Sequence, residues 1–253
     1  MKFRTLSRLI YLKRAQHRRG HGIHSPFLFQ LITSVIEDRK RLPEYKEFKK
    51  LNSNALHLLD EFLYPSFTKI YDQFNLPVSK SRKLYKKLEL PIRYSKLVFR
   101  LIRYFKPKSI INYSPALGVN LAVLAMADNR IPVFQVINNP EYLPFIKEIL
   151  KDSATSNIHF LPEHSEPPDI PEFIMINYPD QPELSRSVVR KCLTRHGDND
   201  VVIMRGIHES KEMEEIWQEM IDFESVRVSL DVFEIGVVLF REGLQKENFI
   251  HRF

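Results

Sequence analysis

The fold is decided by the stretch from 109 to 118, which reads Ser-Ile-Ile-Asn-Tyr-Ser-Pro-Ala-Leu-Gly. Its first half is a short apolar run of the kind that forms a buried β-strand, and its second half is a turn that ends in glycine. A helical pattern follows from Leu117 to Asp128. Because a strand that leads through a turn into a helix is the repeating unit of a parallel sheet, we interpret the rest of the chain around this unit.

Strand-like and helical stretches alternate through the remainder of the chain. The predicted strands cover 109–113, 132–137, 157–161, 173–177, 201–204, 226–231 and 236–241, and the predicted helices cover 117–128, 140–151, 184–195 and 208–223. The last two strands have the spacing of an antiparallel pair. The sequence therefore predicts a doubly wound, mostly parallel α/β sheet of seven strands that ends in an antiparallel hairpin.

The chain before residue 108 is predicted to be helical, with prolines between the helices. A short basic amphipathic helix begins it, with one side formed by Phe3, Leu6, Leu9, Ile10 and Lys13. The pair Ser25-Pro26 is a helix start, since serine caps free N–H groups and proline suits the first helical position. That helix runs to about Asp38, and another spans 93–105. We predict a basic helical region over 1–107 and an α/β domain over 108–253.

The distribution of charge divides the chain at the same place. Residues 1–108 carry 25 Lys and Arg against 8 Asp and Glu, whereas residues 109–253 carry 13 against 23, within a total of +7. Seven Lys and Arg precede the first acidic residue, Glu37. Nucleic acid, an anionic membrane surface, or an acidic partner such as the second half of the chain would each neutralise this basic region.

Composition narrows the function classes further. The 253 residues are 43% hydrophobic and 27% charged, as in folded globular proteins. The single cysteine, Cys192, excludes an internal disulfide and a cysteine-cluster zinc site, and we expect it to be a small buried residue. No stretch has the roughly 18 apolar residues of a membrane span, and the basic start lacks the apolar run of a secretion signal, so we predict a cytoplasmic protein. No Walker or G-x-G-x-x-G motif is present.

Ligands of doubly wound sheets bind beyond the carboxyl ends of the strands, which selects 112–118, 138–139, 177–180 and 205–208. The order of elements, the terminal hairpin and the segment 112–118 resemble class I S-adenosylmethionine-dependent methyltransferases. More narrowly, the chain resembles bacterial methyltransferase-like proteins, common in Bacteroidetes, that begin with the segment H-G-[IV]-H-S-P-F, here residues 21–27. Further matches are 207–210 with Met213 and Trp217, and the stretch 231–241.

The resemblance implies a cofactor site in which the family's acidic residues are replaced. The positions that would surround the cofactor are Asn112, Ser114, Gly118, Asn138 and Asn177. An amide accepts from a ribose diol less well than a carboxylate does, so the loss of two charged hydrogen bonds predicts S-adenosylmethionine binding weaker by roughly two to four orders of magnitude. The acidic pair after the fifth strand is Arg205-Gly206 here, so we predict no functional metal site.

Two further residues have a functional and a structural interpretation. His208 follows a buried strand, where it would serve as a general base, or it lies in the first helical turn and only hydrogen-bonds locally; no acidic neighbour that would orient it is evident. Arg205 would bind an anion at the sheet edge, or pair with an acid of its own chain such as Glu209 or Asp231. His21 and His24 lack further metal ligands nearby, which favours helix capping and packing.

Two functions follow. One is a methyltransferase-like protein that transfers a methyl group from S-adenosylmethionine to an oxygen or nitrogen of an unidentified small-molecule or macromolecular acceptor, with weakened cofactor binding. The other is a non-catalytic relative that keeps the fold as a binding or interaction module, with an anionic ligand as one version. The concerted loss of acidic residues favours the second, and the likeness along nearly the whole chain favours the first.

Overall fold

The computed structural model describes residues 3–15, 23–61, 81–115, 117–138, 140–153, 155–163, 165, 167, 169–178 and 181–253. His21 and Gly22 of the HGIHSPF segment, together with Asn139 and Asp180 of the predicted strand ends, lie outside these ranges.

The predicted sheet is present and has one more strand than expected. Its strands are β1 Ile110–Tyr113, β2 Val133–Ile137, β3 Ile158–Pro162, β4 Phe173–Ile176, β5 Val201–Arg205, β6 Val228–Asp231, β7 Ile235–Leu239 and β8 Glu247–Ile250. They lie in the order β3-β2-β1-β4-β5-β7-β6-β8. The first five strands pair in parallel, and β7 runs antiparallel to both β5 and β6.

The prediction of seven strands is wrong by one, because β8 adds to the edge of the sheet in parallel with β6. Its sequence, Glu-Asn-Phe-Ile, has only Phe249 buried, so it lacks the apolar run that indicates the inner strands. The doubly wound, mostly parallel architecture with an antiparallel C-terminal part is confirmed. Since β1 lies between β2 and β4, the chain winds outward in both directions from β1, and the point of reversal lies at the carboxyl ends of β1 and β4.

Nine α-helices occur within the described residues. They are α1 Phe3–Arg14, α2 Pro26–Leu31, α3 Glu44–Glu61, α4 Ser81–Leu88, α5 Ile92–Phe105, α6 Val119–Ala127, α7 Leu143–Leu150, α8 Pro182–Thr194 and α9 Lys211–Asp222. Ser25 caps α2 as predicted, its hydroxyl accepting from the N–H of Leu28, and a π-helical turn over Ile32–Ile36 continues it. None of the helices in the described ranges is long and apolar enough to cross a membrane.

The helices cover both faces of the sheet. On one face, Leu28, Phe48, Phe99 and Leu121 of the helices share a buried core with strand residues such as Val228. On the other face, helices α8 and α9 pack through side chains that include Val189, Cys192, Met213 and Trp217. The prediction that Cys192 is buried is confirmed, and burial raises the pKa of its thiol to about 12. Helices before residue 108 thus share a core with the sheet; the division at 107/108 stays a prediction.

Candidate functional site

A cavity of about 260 Å³ opens at the carboxyl ends of β1, β2 and β4, next to the point of reversal. Its lining is formed by Ser114, Pro115, Val136, Ile137, Asn138, Tyr142, Ile146, Glu163, Tyr178, Gln181 and Leu184. Of the predicted cofactor residues, it therefore brings together Ser114 and Asn138. Asn112, Gly118 and Asn177 do not line it.

Three polar side chains meet on one side of this cavity. The amide nitrogen of Asn138 donates to Oε1 of Glu163 at 3.1 Å, and the hydroxyl of Tyr178 donates to the Asn138 carbonyl oxygen. Tyr178 is buried, and burial, with the charge of Glu163 adding to it, raises the pKa of its phenol. The resemblance places an acidic residue at the end of β2, where this chain has Asn138. The carboxylate of Glu163, which follows β3, contacts Asn138. Glu163 is not among the predicted site residues, although it directly follows β3 and ligands of such sheets bind beyond the carboxyl ends of parallel strands.

Asn112 and Ser114 follow one another on β1 and the loop after it, and only the second reaches the cavity. Asn112 is fully buried, and its amide nitrogen donates to Gln135 on β2 at 2.6 Å. Its Oδ1 is buried without a hydrogen-bond partner among the described residues. Gln135 in turn donates to the backbone oxygen of Ser114 at 3.0 Å. Asn112 therefore links β1 to β2 without lining the cavity.

The predicted residues after β4 and β5 contact a helix end rather than the cavity. Asn177 donates to Ser114 Oγ at 2.8 Å and to the backbone oxygen of Leu88, the last residue of α4, at 3.1 Å. Arg205 donates to the backbone oxygens of Lys87 and Lys86 at 2.9 and 2.8 Å. The last turn of a helix has unpaired carbonyl groups, and a cation there is favourable. These two side chains therefore bind the C-terminal turn of α4 to the edge of the sheet.

Arg205 is only 3% exposed, and most of its donors are engaged. Besides the two helix carbonyls, its guanidinium donates to Asn177 Oδ1 at 2.9 Å and lies 3.5 Å from Glu234. Burial lowers the pKa of Arg205, and the charges of Glu234 and Glu89 oppose that shift. The acid that it meets is Glu234, rather than Glu209 or Asp231 as the structural interpretation expected. This geometry favours the structural interpretation; anion binding by Arg205 stays a prediction.

Glu89, the residue after α4, places a carboxylate on the loop that follows β1. It accepts from the N–H groups of Leu117, Val119 and Asn120 at 2.8, 3.3 and 2.8 Å. These groups form the N-terminus of α6, where a negative charge is stabilised. Burial nevertheless raises the pKa of Glu89 to about 7, against the lowering effect of those hydrogen bonds. Glu89 is not among the predicted site residues, because nothing near it in sequence indicates a contact 28 residues away.

Gly118 has a backbone role at the same helix start. It is the N-cap of α6 with a φ of 109°, a conformation that favours glycine. A Cβ at this position would lie 3.3 Å from the side chain of Ile149 on α7. Gly118 therefore permits the turn and the close approach of α7; its predicted contact with a cofactor stays a prediction.

His208 lies outside the cavity lining, between two carboxylates. Its Nδ1 is 2.8 Å from Glu214 and its Nε2 is 2.8 Å from Asp231. The expectation that it lacks an acidic neighbour is wrong, since one partner comes from α9 and the other from β6. It also precedes α9, whose N-cap is Ser210, rather than lying in the first turn. Burial lowers the pKa of His208, but Asp231 and Glu214 together raise it above its ordinary value. With both ring nitrogens engaged, its arrangement favours an ion pair; a role as a general base stays a prediction.

No group of three or more His, Cys, Asp and Glu side chains within the described ranges is placed to hold a metal ion. The two positions where the resemblance would have placed metal-binding carboxylates, Asn177 and Arg205, contact one another directly.

The fold and the site geometry can be compared with known proteins. No protein-family model matches the chain. No curated protein matches it either. Among solved structures, it is similar to the Podospora anserina methyltransferase PaMTH1 bound to S-adenosylhomocysteine (SAH), with 10% identity, a TM-score of 0.53, and coverage of 80% of this chain and 99% of that one.

Two O-methyltransferases give similar values. The Bacillus cereus O-methyltransferase in complex with SAH has 11% identity, a TM-score of 0.52, and coverage of 84% of this chain and 97% of that one. TomG of Streptomyces achromogenes, in complex with S-adenosylmethionine, has 12% identity, a TM-score of 0.50, and coverage of 77% and 99%. Identities this low show the fold alone, and the fold they show is that of S-adenosylmethionine-dependent methyltransferases.

Proposed function

We propose that the protein binds S-adenosylmethionine at the cavity beside β1, β2 and β4, and transfers its methyl group to an oxygen or nitrogen of an acceptor. The observation that carries this proposal is the group of Asn138, Glu163 and Tyr178 on the cavity wall. Structures with the same fold have been determined with this cofactor or its product bound, which supports the choice of ligand.

The cavity wall suits the hydroxyl groups of a ribose. Glu163 offers carboxylate oxygens, which accept hydroxyl protons more strongly than an amide does. Asn138 already orients one of these oxygens, so little side-chain freedom remains to be lost on binding. In this proposal Glu163 performs the task of the acid that the second strand lacks, and the adenine end of the cofactor contacts the apolar residues Val136, Ile137 and Leu184.

The amino-acid end of the cofactor fits less well. The N–H groups of the loop after β1 are bound by the carboxylate of Glu89, so a carboxylate of the ligand would compete with it. The cavity volume of about 260 Å³ also lies slightly below the roughly 300 to 1,000 Å³ of typical ligand sites. Both features support an affinity weaker than that of methyltransferases with an open loop.

The chemistry asks little of the protein beyond positioning. The bound cofactor supplies an activated methyl group, and the protein holds the acceptor in line with it and excludes water. Tyr178, buried beside Glu163, keeps its phenol protonated and donates that proton to Asn138, so it positions the cavity wall. His208 is held by two carboxylates at another place, so the most suitable substrate is an acceptor whose attacking oxygen or nitrogen needs no general base to remove its proton before methyl transfer.

Titration calorimetry with S-adenosylmethionine and SAH tests the proposal. We expect measurable binding that weakens at least about tenfold in Glu163→Gln, since a charged hydrogen bond contributes roughly 1.5 to 3 kcal/mol. Glu148→Gln is the matched control, because Glu148 is an exposed acid on α7 whose partner is Lys151. No heat from the wild type at millimolar ligand, or an equal affinity in Glu163→Gln, would contradict the proposal.

The second candidate function is a non-catalytic interaction module with this fold. The segment 86–89 supports it, because this segment uses the polar groups after β4 and β5 and the N–H groups after β1 for internal contacts. The version with an anionic ligand has less support, since Arg205 is buried and Glu163 makes the cavity wall acidic. The assay supplies labelled S-adenosylmethionine to a cell extract. If the wild type transfers the labelled methyl group to a component of the extract and Glu163→Gln does not, the result favours the enzyme over the interaction module.

A further inference from the structure

Helix α1 exposes an unusual amount of apolar surface. Phe3, Leu6, Leu9, Ile10 and Leu12 are between 37% and 49% exposed, and the buried residues of the helix are Ser7 and Tyr11. Five of the eight large hydrophobic side chains recorded as exposed in the described residues thus belong to one helix of 12 residues. Scattered exposed apolar residues are ordinary, whereas a group of them on one element marks an interaction surface.

Four of the exposed apolar residues form a stripe along one solvent-exposed flank of the helix. At 100° per residue, Phe3, Ile10 and Leu6 lie within about 60° of one another on one flank of the helix, and Leu9 lies about 60° further round, on the side most nearly opposite Tyr11. We call these four residues the α1 stripe. The buried side is polar or aromatic, and the α1 stripe is left to solvent, the reverse of a helix that packs through its apolar face.

Contacts from the other side of the helix fix this orientation. Arg4 forms ion pairs with Glu209 and Glu234, and its guanidinium lies 5.9 Å from the ring centre of Phe233. The hydroxyl of Tyr11 donates to the backbone oxygen of His251. Helix α1 is therefore attached to the sheet domain through its polar side, and the α1 stripe cannot turn inward without loss of these contacts.

The charge of the helix specifies what the α1 stripe contacts. Helix α1 contains Arg4, Arg8, Lys13 and Arg14 and no acidic residue. Arg4 is paired with acids of the sheet domain, whereas Lys13 and Arg14 are exposed at the end of the helix. A cationic helix with an exposed apolar stripe complements a surface that is anionic outside and apolar just beneath.

We propose that α1 attaches the protein to the surface of an anionic lipid bilayer, with the α1 stripe in the boundary between headgroups and acyl chains. Lys13 and Arg14 then lie at the level of the lipid phosphates, where each cation strengthens binding. The helix lies in the plane of the surface, and the polar contacts of Arg4 and Tyr11 keep the sheet domain on the aqueous side.

Two other occupants fit the helix less well. Nucleic acid would bind the cations, but aliphatic side chains such as Leu6, Leu9 and Ile10 neither stack on bases nor pair with phosphates. A second copy of the chain would bring two cationic helices together. It would also bury only the face of a helix about 18 Å long, well short of the roughly 800 Å² per partner of a standard interface.

Co-sedimentation with vesicles tests the proposal on the full chain. We expect the wild type to bind vesicles of phosphatidylcholine mixed with phosphatidylglycerol and to bind phosphatidylcholine alone much more weakly. Leu6→Ser/Ile10→Ser should reduce binding at least about tenfold, since each apolar side chain removed from the lipid contributes transfer free energy. Ile170→Ser/Phe223→Ser is the matched control, because these two residues are similarly exposed elsewhere and should leave binding unchanged.

A charge variant separates the two parts of the mechanism. Lys13→Glu/Arg14→Glu should weaken binding to anionic vesicles by about tenfold or more, whereas Arg190→Glu, an exposed residue on α8, should not. Equal sedimentation of the wild type and Leu6→Ser/Ile10→Ser would overturn the proposal. It would also be overturned by a wild-type dimer in light scattering that Leu6→Ser/Ile10→Ser converts to a monomer, or by tighter binding to a DNA duplex than to anionic vesicles. All the altered positions are exposed, so each variant should melt like the wild type.

Discussion

Both halves of the carboxyl edge of the sheet have an asparagine at the end of a strand, but the two asparagines make different contacts. At the end of β2, Asn138 faces a cavity and contacts Glu163. Just after β4, Asn177 is buried, contacts Leu88 and Arg205, and holds the end of α4. An amide at the end of a strand is therefore compatible with an open binding site and with a closed structural joint. What differs is whether another segment of the chain reaches it.

The comparison predicts that the half closed by α4 contributes stability, and Arg205→Met should have the largest effect. The change leaves Glu234 without its buried partner and removes the donors to Lys86 and Lys87, so we expect a loss of about 3 to 5 kcal/mol in the free energy of unfolding. Urea denaturation provides the measurement, with Arg190→Met on the surface as the control. A loss below about 1 kcal/mol would contradict this expectation, because Arg205 would then be dispensable for holding α4 to the sheet.

Glu89→Ala tests the joint from its other side. Three N–H groups at the start of α6 lose their acceptor, so we expect a loss of about 2 kcal/mol, measured against Glu148→Ala. The folded pKa of Glu89 is about 7, above the ordinary 4.5, so the folded state takes up a proton between these values. The wild type gains stability as the pH falls through that window, and the cost of Glu89→Ala should be larger near pH 5 than near pH 8. If the cost of Glu89→Ala rose with pH instead, the pKa of the Glu89 carboxyl group would not be raised in the folded state.

The ion pairs of His208 should contribute less to the free energy of unfolding, and their contribution should decrease as the pH rises. Because the pKa of His208 is raised in the folded state, its contribution is complete below the ordinary value of 6.5 and disappears as the pH rises through the folded value. We expect His208→Gln to cost about 1 kcal/mol at mildly acidic pH and less at alkaline pH. Thermal melts across this range, with the exposed His159→Gln as the control, measure it. A cost that does not change with pH would indicate that the imidazole is not charged when paired.

Asn138→Ala should change stability least, by about 0.5 kcal/mol, since its side chain is only partly buried and water in the cavity can replace it as the partner of Tyr178 and Glu163. Asn177→Ala is the matched variant and should cost about 2 kcal/mol, because it leaves Leu88 O and Arg205 with a missing partner. Denaturant unfolding curves of Asn138→Ala and Asn177→Ala, measured in parallel, compare the stability that the two halves contribute. Equal losses would mean that the two halves of the edge do not differ as their contacts suggest.

The sequence predicted the sheet well because its inner strands carry continuous apolar runs. The predicted stretches 132–137, 173–177 and 201–204 coincide with β2, β4 and β5 to within a residue at each end. Strand β8 was missed because an edge strand pairs on one side and needs little apolar sequence. The start of α9 was placed too early at 208, since the capping side chain of Ser210 was not recognised as the boundary.

Much less of the candidate site could be predicted. Strand ends located Ser114 and Asn138 at the cavity, but the partners of Asn177 and Arg205 come from α4, more than 80 residues earlier in the chain. Such contacts depend on how helices pack over the edge, and no local pattern encodes them. The same reason hid Asp231, one of the two acids that flank His208, since it is 23 residues away. Substitutions read from sequence show which chemistry was removed; what replaced it depends on tertiary contacts.

The attachment of α1 to the far end of the chain also has a consequence for biosynthesis. Its anchors include His251 and Glu234, which are more than 200 residues later, so these two contacts cannot form while most of the chain is still being translated. At roughly 5 to 20 residues per second, a ribosome needs on the order of 10 to 50 s to bridge that separation. A basic helix with apolar side chains thus leaves the ribosome well before the residues that hold it in the folded protein. During that time chaperones, or an anionic membrane near the ribosome, can reach it before its own domain does.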